Sequence, residues 1–133
     1  MLRKLLTAKI HGATITECDP DYVGSVTIDA DLLRATGIRP NESVFVLDLD
    51  NAARFETYVF QGASGSGIIG INGAAAKLVE VDHRVLILCF GYLEENELDN
   101  HVATIVVCDA QNHIADRLHK ASVVDKPVDS SIS

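Results

Sequence analysis

The sequence predicts a closed β-barrel with small helical decorations, and three observations point to it. Short runs rich in Val, Ile and Thr recur along the 133 residues, separated by Gly, Asn, Asp and Pro. Hydrophobic residues make up 47% and charged residues 23%, the balance of a folded globular chain, and there is no Trp. Helical patterns are few and short, so strands must cover most of the core.

Taken in order, Leu5 to Thr16 alternates Ala8, Ile10, Ala13 and Ile15 against Lys9, His11, Thr14 and Thr16, a strand kinked near Gly12 with Lys9 and His11 on one face. Glu17 to Asp21 reads as a turn from its Pro and Asp content. Val26 to Ile28 is a strand. Asp29 then caps a helix over Ala30 to Thr36, which Gly37 ends in a left-handed cap, with Leu32 and Leu33 on the core. Val44 to Leu49 and Arg54 to Phe60 form a hairpin through the turn at residues 50–53, and alternation puts Arg54 and Tyr58 on one face. Gly62 to Gly67 is a glycine-rich loop, Ile68 to Ile71 a strand, and Asn72 to Ala76 a turn entering a short helical segment. Val85 to Phe90 is a continuous apolar run, read as a strand buried on both faces. Glu94 to Asp99 is an acidic helical surface segment, Ala103 to Val107 a strand, and residues 121–133 an aperiodic, disordered tail. Residues 1–120 therefore form one domain.

Composition narrows the function. A formal net charge of -8 disfavours nucleic acid and anionic membrane as partners. Cys18, Cys89 and Cys108 are odd in number and far apart, which fits a reducing cytoplasm better than a disulfide framework. Lys9 and His11 interrupt what would be a signal-peptide core, and no apolar run reaches membrane-spanning length. The histidines lack metal-ligand spacing, so no metal is expected; His83, His101, His113 and His119 read as surface residues. The string Gly65 to Gly70 matches G-x-G-x-x-G, but β-branched Ile68 and Ile69 follow where the dinucleotide motif opens a helix.

The chemistry-bearing stretch is Tyr22 to Asp29, where Gly24 and Ser25 head a β-branched run. Glycine in a strand marks a bulge, a bend or a close approach to the backbone. With access to φ > 0, Gly24 can present its carbonyl to Ser25 Oγ, which can attack it and shift the acyl group from nitrogen to oxygen; a plain β-bulge is the other reading.

Four segments, Ala8-Lys9-Ile10-His11, Tyr22-Val23-Gly24-Ser25-Val26-Thr27-Ile28-Asp29, Arg54-Phe55-Glu56-Thr57-Tyr58 and Ile71-Asn72-Gly73-Ala74-Ala75-Ala76, occur in an order that resembles the bacterial pyruvoyl-dependent aspartate decarboxylases. The likeness runs from Leu2 to about Ile114. It implies a mainly β, double-psi β-barrel of six or so strands with short helices, assembled as a cytoplasmic homotetramer. It also implies a proenzyme that cleaves itself between Gly24 and Ser25, into a 1–24 β chain and a 25–133 α chain, leaving a pyruvoyl group derived from Ser25 as the covalent cofactor. That group would form a Schiff base with L-aspartate and release CO2 and β-alanine, in pantothenate synthesis. Ser25 and Tyr58 are then the catalytic residues, Tyr58 as proton donor. Thr57 would assist cleavage and, with Lys9, Arg54, Gly73, Ala74 and Ala75, bind substrate, while His11, Tyr22 and Asn72 line the pocket. The chain departs from the family pattern at Ala52, in place of a turn glycine, at Ser64, in place of an arginine, and at Asp82-His83, in place of Gly-Asp. Two alternatives stay open: the same chemistry on another acidic amino acid, and an uncleaved barrel acting as a binding module.

Overall fold

The computed structural model describes residues 1–125. Nine strands lie in one sheet: β1 (Leu2–Thr14), β2 (Glu17–Asp19), β3 (Ser25–Asp29), β4 (Ser43–Asp48), β5 (Arg54–Gly62), β6 (Ile69–Asn72), β7 (Arg84–Glu94), β8 (Val102–Cys108) and β9 (Ile114–Ala121). Their spatial order is β2-β6-β3-β5-β4-β7-β1-β8-β9. Parallel pairs β1–β8, β2–β6 and β3–β5 are interleaved with antiparallel ones, the mixed pairing that a double-psi barrel requires. The sheet curls back on itself where Thr16 N–H donates to Ile69 O at 2.9 Å and Ile15 N–H to His83 O at 2.9 Å.

The mainly β expectation holds, with nine strands among the described residues rather than six or so. β2 was hidden because Pro20 and its flanking aspartates carry a turn signature; three residues nevertheless pair with β6. β9 was hidden because its side chains are almost all exposed, so no buried alternation marks it, and it is held by its ladder with β8. Ala121, placed in the expected tail, closes β9, and residues 126–133 of that expectation lie outside the described residues. The 50–53 turn, the helix α1 (Ala30–Thr36), its Asp29 cap and the left-handed Gly37 (φ 78°) stand as read. The acidic segment is a 3₁₀ helix, Glu95–Asn100, opened by a Glu94–Glu97 capping box.

β7 is corrected. Val85, Ile87 and Cys89 are buried, but Leu86, Leu88 and Phe90 are only half-buried, because the outer face of this strand has no second layer over it. Apolar runs arise from either arrangement, which composition alone does not separate. Val26, Ile28, Ile69, Ile71, Val85 and Ile87, all fully buried, fill the barrel interior.

Two buried polar side chains hold the loops that frame β3. The Asp29 carboxylate accepts from Asp31 N (2.8 Å), Gly65 N (3.1 Å) and Gly67 N (2.8 Å), so one cap also anchors the glycine-rich loop. Asn112 exchanges bonds with the Thr14 backbone and donates to Gly67 O at 2.7 Å.

The departures keep their turn geometry at some cost. Ala52 (φ 65°) and Asp82 (φ 76°) both sit in the left-handed region. Alanine gains nothing from that conformation, and Ala52→Gly is expected to stabilise the chain by about 1 kcal/mol, a few degrees in Tm. A thermal melt with an unchanged or lower midpoint would contradict the strain. Ser64 donates to Asp31 and accepts from Arg34 at 3.3 Å, tying the loop to α1. His83 is half-buried, its Nδ1 2.6 Å from the buried Asp48 Oδ2 and its Nε2 3.2 Å from Glu80. The hydrogen bond to Asp48 raises its pKa. His101 is also half-buried, with Nε2 2.9 Å from Leu6 O, so the surface reading holds for His113 and His119 only. Asp48, Asp50 and His83 cluster closely, yet Asp48 Oδ1 already accepts from Asp50 N and Asn51 N while Oδ2 faces His83.

Candidate active site

β3 begins at Ser25 itself. Gly24 is exposed and Ser25 only 2% exposed, so the peptide bond between them lies where the chain passes from surface to core. Neither a bulge nor a φ > 0 glycine is present at Gly24; the positive-φ glycine against it is Gly73, at φ 78°. Gly73 opens the 3₁₀ turn Gly73–Lys77 directly after β6, and its backbone lies against the Gly24 segment. A Cβ built on Gly73 would fall 2.6 Å from Gly24 Cα and 3.0 Å from Gly24 N, whereas one on Gly24 would meet only Asn72 O, at 3.9 Å. Bare backbone is therefore required at residue 73, on the partner of the junction.

The antiparallel register pairs Ser25 with Asn72 and Thr27 with Gly70. Ser25, Thr27 and Asn72 are all buried, and the Asn72 Nδ2 group donates to Ser25 Oγ and to Thr27 Oγ1, each at 3.0 Å. On the other side of β3, the parallel register Val26 with Val59 sets Tyr58 and Thr57 one and two residues before the matched pair, level with Ser25 and Gly24. Tyr58 is 39% exposed and Thr57 half-buried. Tyr22, exposed, borders an open cleft of about 520 Å³ that Thr27, Phe60 and Asn72 also line. Cys18, in the same cleft, has a thiol pKa raised by burial and by Glu80, which disfavours a thiolate beside the junction. Ala74 is exposed and Ala75 half-buried in the turn that follows Gly73.

The fold thus brings Tyr22, Gly24, Ser25, Thr57, Tyr58, Asn72 and Gly73 to one end of β3. Lys9, His11 and Arg54 form a separate group on the outer face. Arg54 pairs with Leu47, Leu47 with Leu86, and Leu86 with His11, so Arg54 and His11 sit three strand spacings apart, roughly 14 Å. Lys9 pairs with Leu88 in the adjoining row. Burial, then the charges of Lys9 and Arg84, lowers the His11 pKa. Arg54 is four residues, about 13 Å, from Tyr58 along β5, and it borders an apolar groove with Lys4, Phe45, Leu47, Leu88 and Phe90. Lys4 was not anticipated; its ammonium lies 5.4 Å from the Phe90 ring centre and 5.7 Å from that of Phe45. Thr27 was also not singled out, although its spacing of two from Ser25 puts both on one strand face.

Comparison with known proteins identifies the family. The sequence profile described as "Aspartate decarboxylase" matches residues 1–115. An aspartate 1-decarboxylase of Staphylococcus carnosus (strain TM300) is 48% identical over 120 residues, 90% of this chain and 94% of the relative. One of Staphylococcus aureus (strain MSSA476) is 47% identical over the same shares. A rationally designed protein of known structure, mkDPBB_sym1, aligns with a TM-score of 0.45 and 23% identity over 65% of this chain and 96% of its own. A profile that spans most of the barrel, and relatives that share nearly half of its residues, place this chain in the aspartate decarboxylase family.

Proposed function

We propose that this chain decarboxylates L-aspartate to β-alanine and CO2 for pantothenate synthesis, using a pyruvoyl group made from its own Ser25. The observation that carries this reading is the Gly24–Ser25 junction: a buried serine hydroxyl follows an exposed glycine, a bare backbone at Gly73 presses on that glycine, and an amide donor stands on Ser25 Oγ.

In the first step Ser25 Oγ attacks the Gly24 carbonyl carbon and the C–N bond breaks, converting the amide to an ester. Thr57 donates to the Gly24 carbonyl oxygen as charge develops on it, a role supported by the parallel register that brings it level with Gly24. Elimination and hydrolysis then leave fragments 1–24 and 25–133. The donor set suits a carbonyl at residue 25, since Asn72 Nδ2 already points there. When formed, the pyruvoyl carbonyl supplies an electron sink for the bond that releases CO2. Tyr58 donates the returning proton from the strand beside residue 25. The backbone N–H groups of Gly73, Ala74 and Ala75 hold the substrate, Tyr22 and Asn72 border its pocket, and His11, with Lys9 and Arg54, faces it from the neighbouring copy. Arg54 offers a planar fork for a carboxylate and Lys9 a second positive charge.

Arg54 stands about 13 Å along β5 from Tyr58, and Lys9 lies on β1, four strands from β3 in the sheet order; these positions support a homotetramer in which the outer face of one copy meets the β3 end of another. Native mass spectrometry reads that state directly. Among the described residues no helix is long and apolar enough to cross a membrane, in keeping with a cytoplasmic enzyme.

Intact mass of the purified protein tests the reading. Two fragments are expected, with 25–133 lighter by one ammonia than its serine form; a single full-length chain would leave the barrel as a binding module. A panel of acidic amino acids, read by product identification, separates aspartate from other substrates. Tyr58→Phe is expected to mature normally and to lose about 10²- to 10⁴-fold in β-alanine formation. Near-normal turnover would assign the proton to another donor.

A further inference from the structure

Self-cleavage at Gly24–Ser25 consists of two chemical steps, and the side chains around Ser25 Oγ do not serve both equally. In the first, Oγ gives up a lone pair to the Gly24 carbon and its proton passes to the departing Ser25 nitrogen. A donor held against Oγ lowers its nucleophilicity and contributes nothing there. In the second, a water molecule takes the Ser25 Cα proton, the Cβ–Oγ bond breaks, and Oγ leaves as one oxygen of the Gly24 carboxylate. The electron pair of the Cα–H bond forms the new Cα=Cβ bond. Oγ thus changes from an ester oxygen, a weak acceptor, to a carboxylate oxygen, a strong one. A hydrogen bond that strengthens as the bond breaks accelerates that step selectively.

The Asn72 amide is that donor, at 3.0 Å from Ser25 Oγ. Its position is set by the other contact of the same nitrogen, 3.0 Å to Thr27 Oγ1. Thr27 is 9% exposed and two residues along the same strand face, so its hydroxyl and that of Ser25 form a fork that receives the two N–H groups of one amide. Without the Thr27 oxygen, one buried N–H loses its partner and the amide is free to rotate away from Oγ.

Building on the proposed self-cleavage, we infer that Thr27 is a positioning residue for maturation: its hydroxyl holds the Asn72 amide on Ser25 Oγ, and the held amide assists departure of that oxygen in the elimination step.

Thr27→Val keeps shape and strand propensity and removes only the acceptor. Wild-type chain, Thr27→Val and Thr27→Ser are expressed, and maturation is followed by intact mass with and without a short hydroxylamine pulse. Hydroxylamine cleaves an ester at residue 24, releasing a 25–133 fragment that still begins with serine, and leaves the amide intact. Thr27→Val is expected to mature roughly tenfold more slowly while a hydroxylamine-sensitive ester accumulates, and Thr27→Ser to restore the wild-type rate. Thr27→Ala gives the same readout should the valine variant fail to fold. Wild-type maturation with an unchanged rate in Thr27→Val overturns the role of Thr27 alone. A slow variant that accumulates hydroxylamine-inert amide overturns the assignment to elimination. A wild-type chain that never cleaves removes the proposed function and this role with it.

Discussion

Ser25→Ala is expected to leave one uncut 133-residue chain with no decarboxylase activity. The effect is absolute, because the hydroxyl supplies both the nucleophile that opens the Gly24–Ser25 bond and the atoms from which the electron sink is made; no neighbour replaces it. The threonine hydroxyls nearby, those of Thr27 and Thr57, sit on β3 and β5 without a preceding Gly24 carbonyl in reach through a five-membered ring. The fold should tolerate the change. Alanine fits a site that is already 98% enclosed, and Asn72 keeps its bond to Thr27, so the loss is that of one buried hydrogen bond, about 1 kcal/mol. Intact mass and circular dichroism on the same sample check both halves. Cleavage at residue 24 in the alanine chain would refute attack by Ser25 Oγ, whatever the activity.

The sequence made the local part of this architecture legible and left the relational part out of view. Asp29, α1 and Gly37 are readable because capping is a contract between residues a few positions apart. The hairpin of β4 and β5 is readable for the same reason. β9 was not, since a strand whose side chains are exposed leaves no periodic trace. Of the candidate site, Gly24 and Ser25 stand together in the chain, and their importance could be argued from that alone. The reason the junction is constrained could not: it lies in Gly73, nearly fifty residues away, and only the pairing of β3 with β6 brings the two backbones into contact. Lys9 and Arg54 were tied to Ser25 by the family resemblance alone, and the distances between them come only from the pairing of strands: three strand spacings separate Arg54 from His11, and about 13 Å of β5 separates it from Tyr58.

Gly73→Ala should consequently cost far more in maturation than Gly24→Ala, although both add one methyl group. At residue 73 the new Cβ lies 2.6 Å from Gly24 Cα and 3.4 Å from Tyr22 O, and these are backbone atoms, which cannot rotate aside. The φ of 78° adds about 1 kcal/mol of strain for an alanine. The relief open to the chain is to push the Gly24 segment outward, which is exposed and unsupported on its other side. That motion draws the Gly24 carbonyl carbon away from a hydroxyl that β3 holds in place, and an offset near 1 Å from the attacking geometry lowers such a reaction about a hundredfold. At residue 24 the added Cβ meets Asn72 O at an ordinary 3.9 Å, so the carbonyl stays where it is. Time courses of intact mass for the two variants, with circular dichroism to confirm the barrel, should show Gly73→Ala maturing about a hundredfold more slowly than wild type and Gly24→Ala close to it. Equal rates in all three would mean that the 3₁₀ turn does not hold the scissile bond, and the constraint would have to be sought in Asn72 and Thr27 instead.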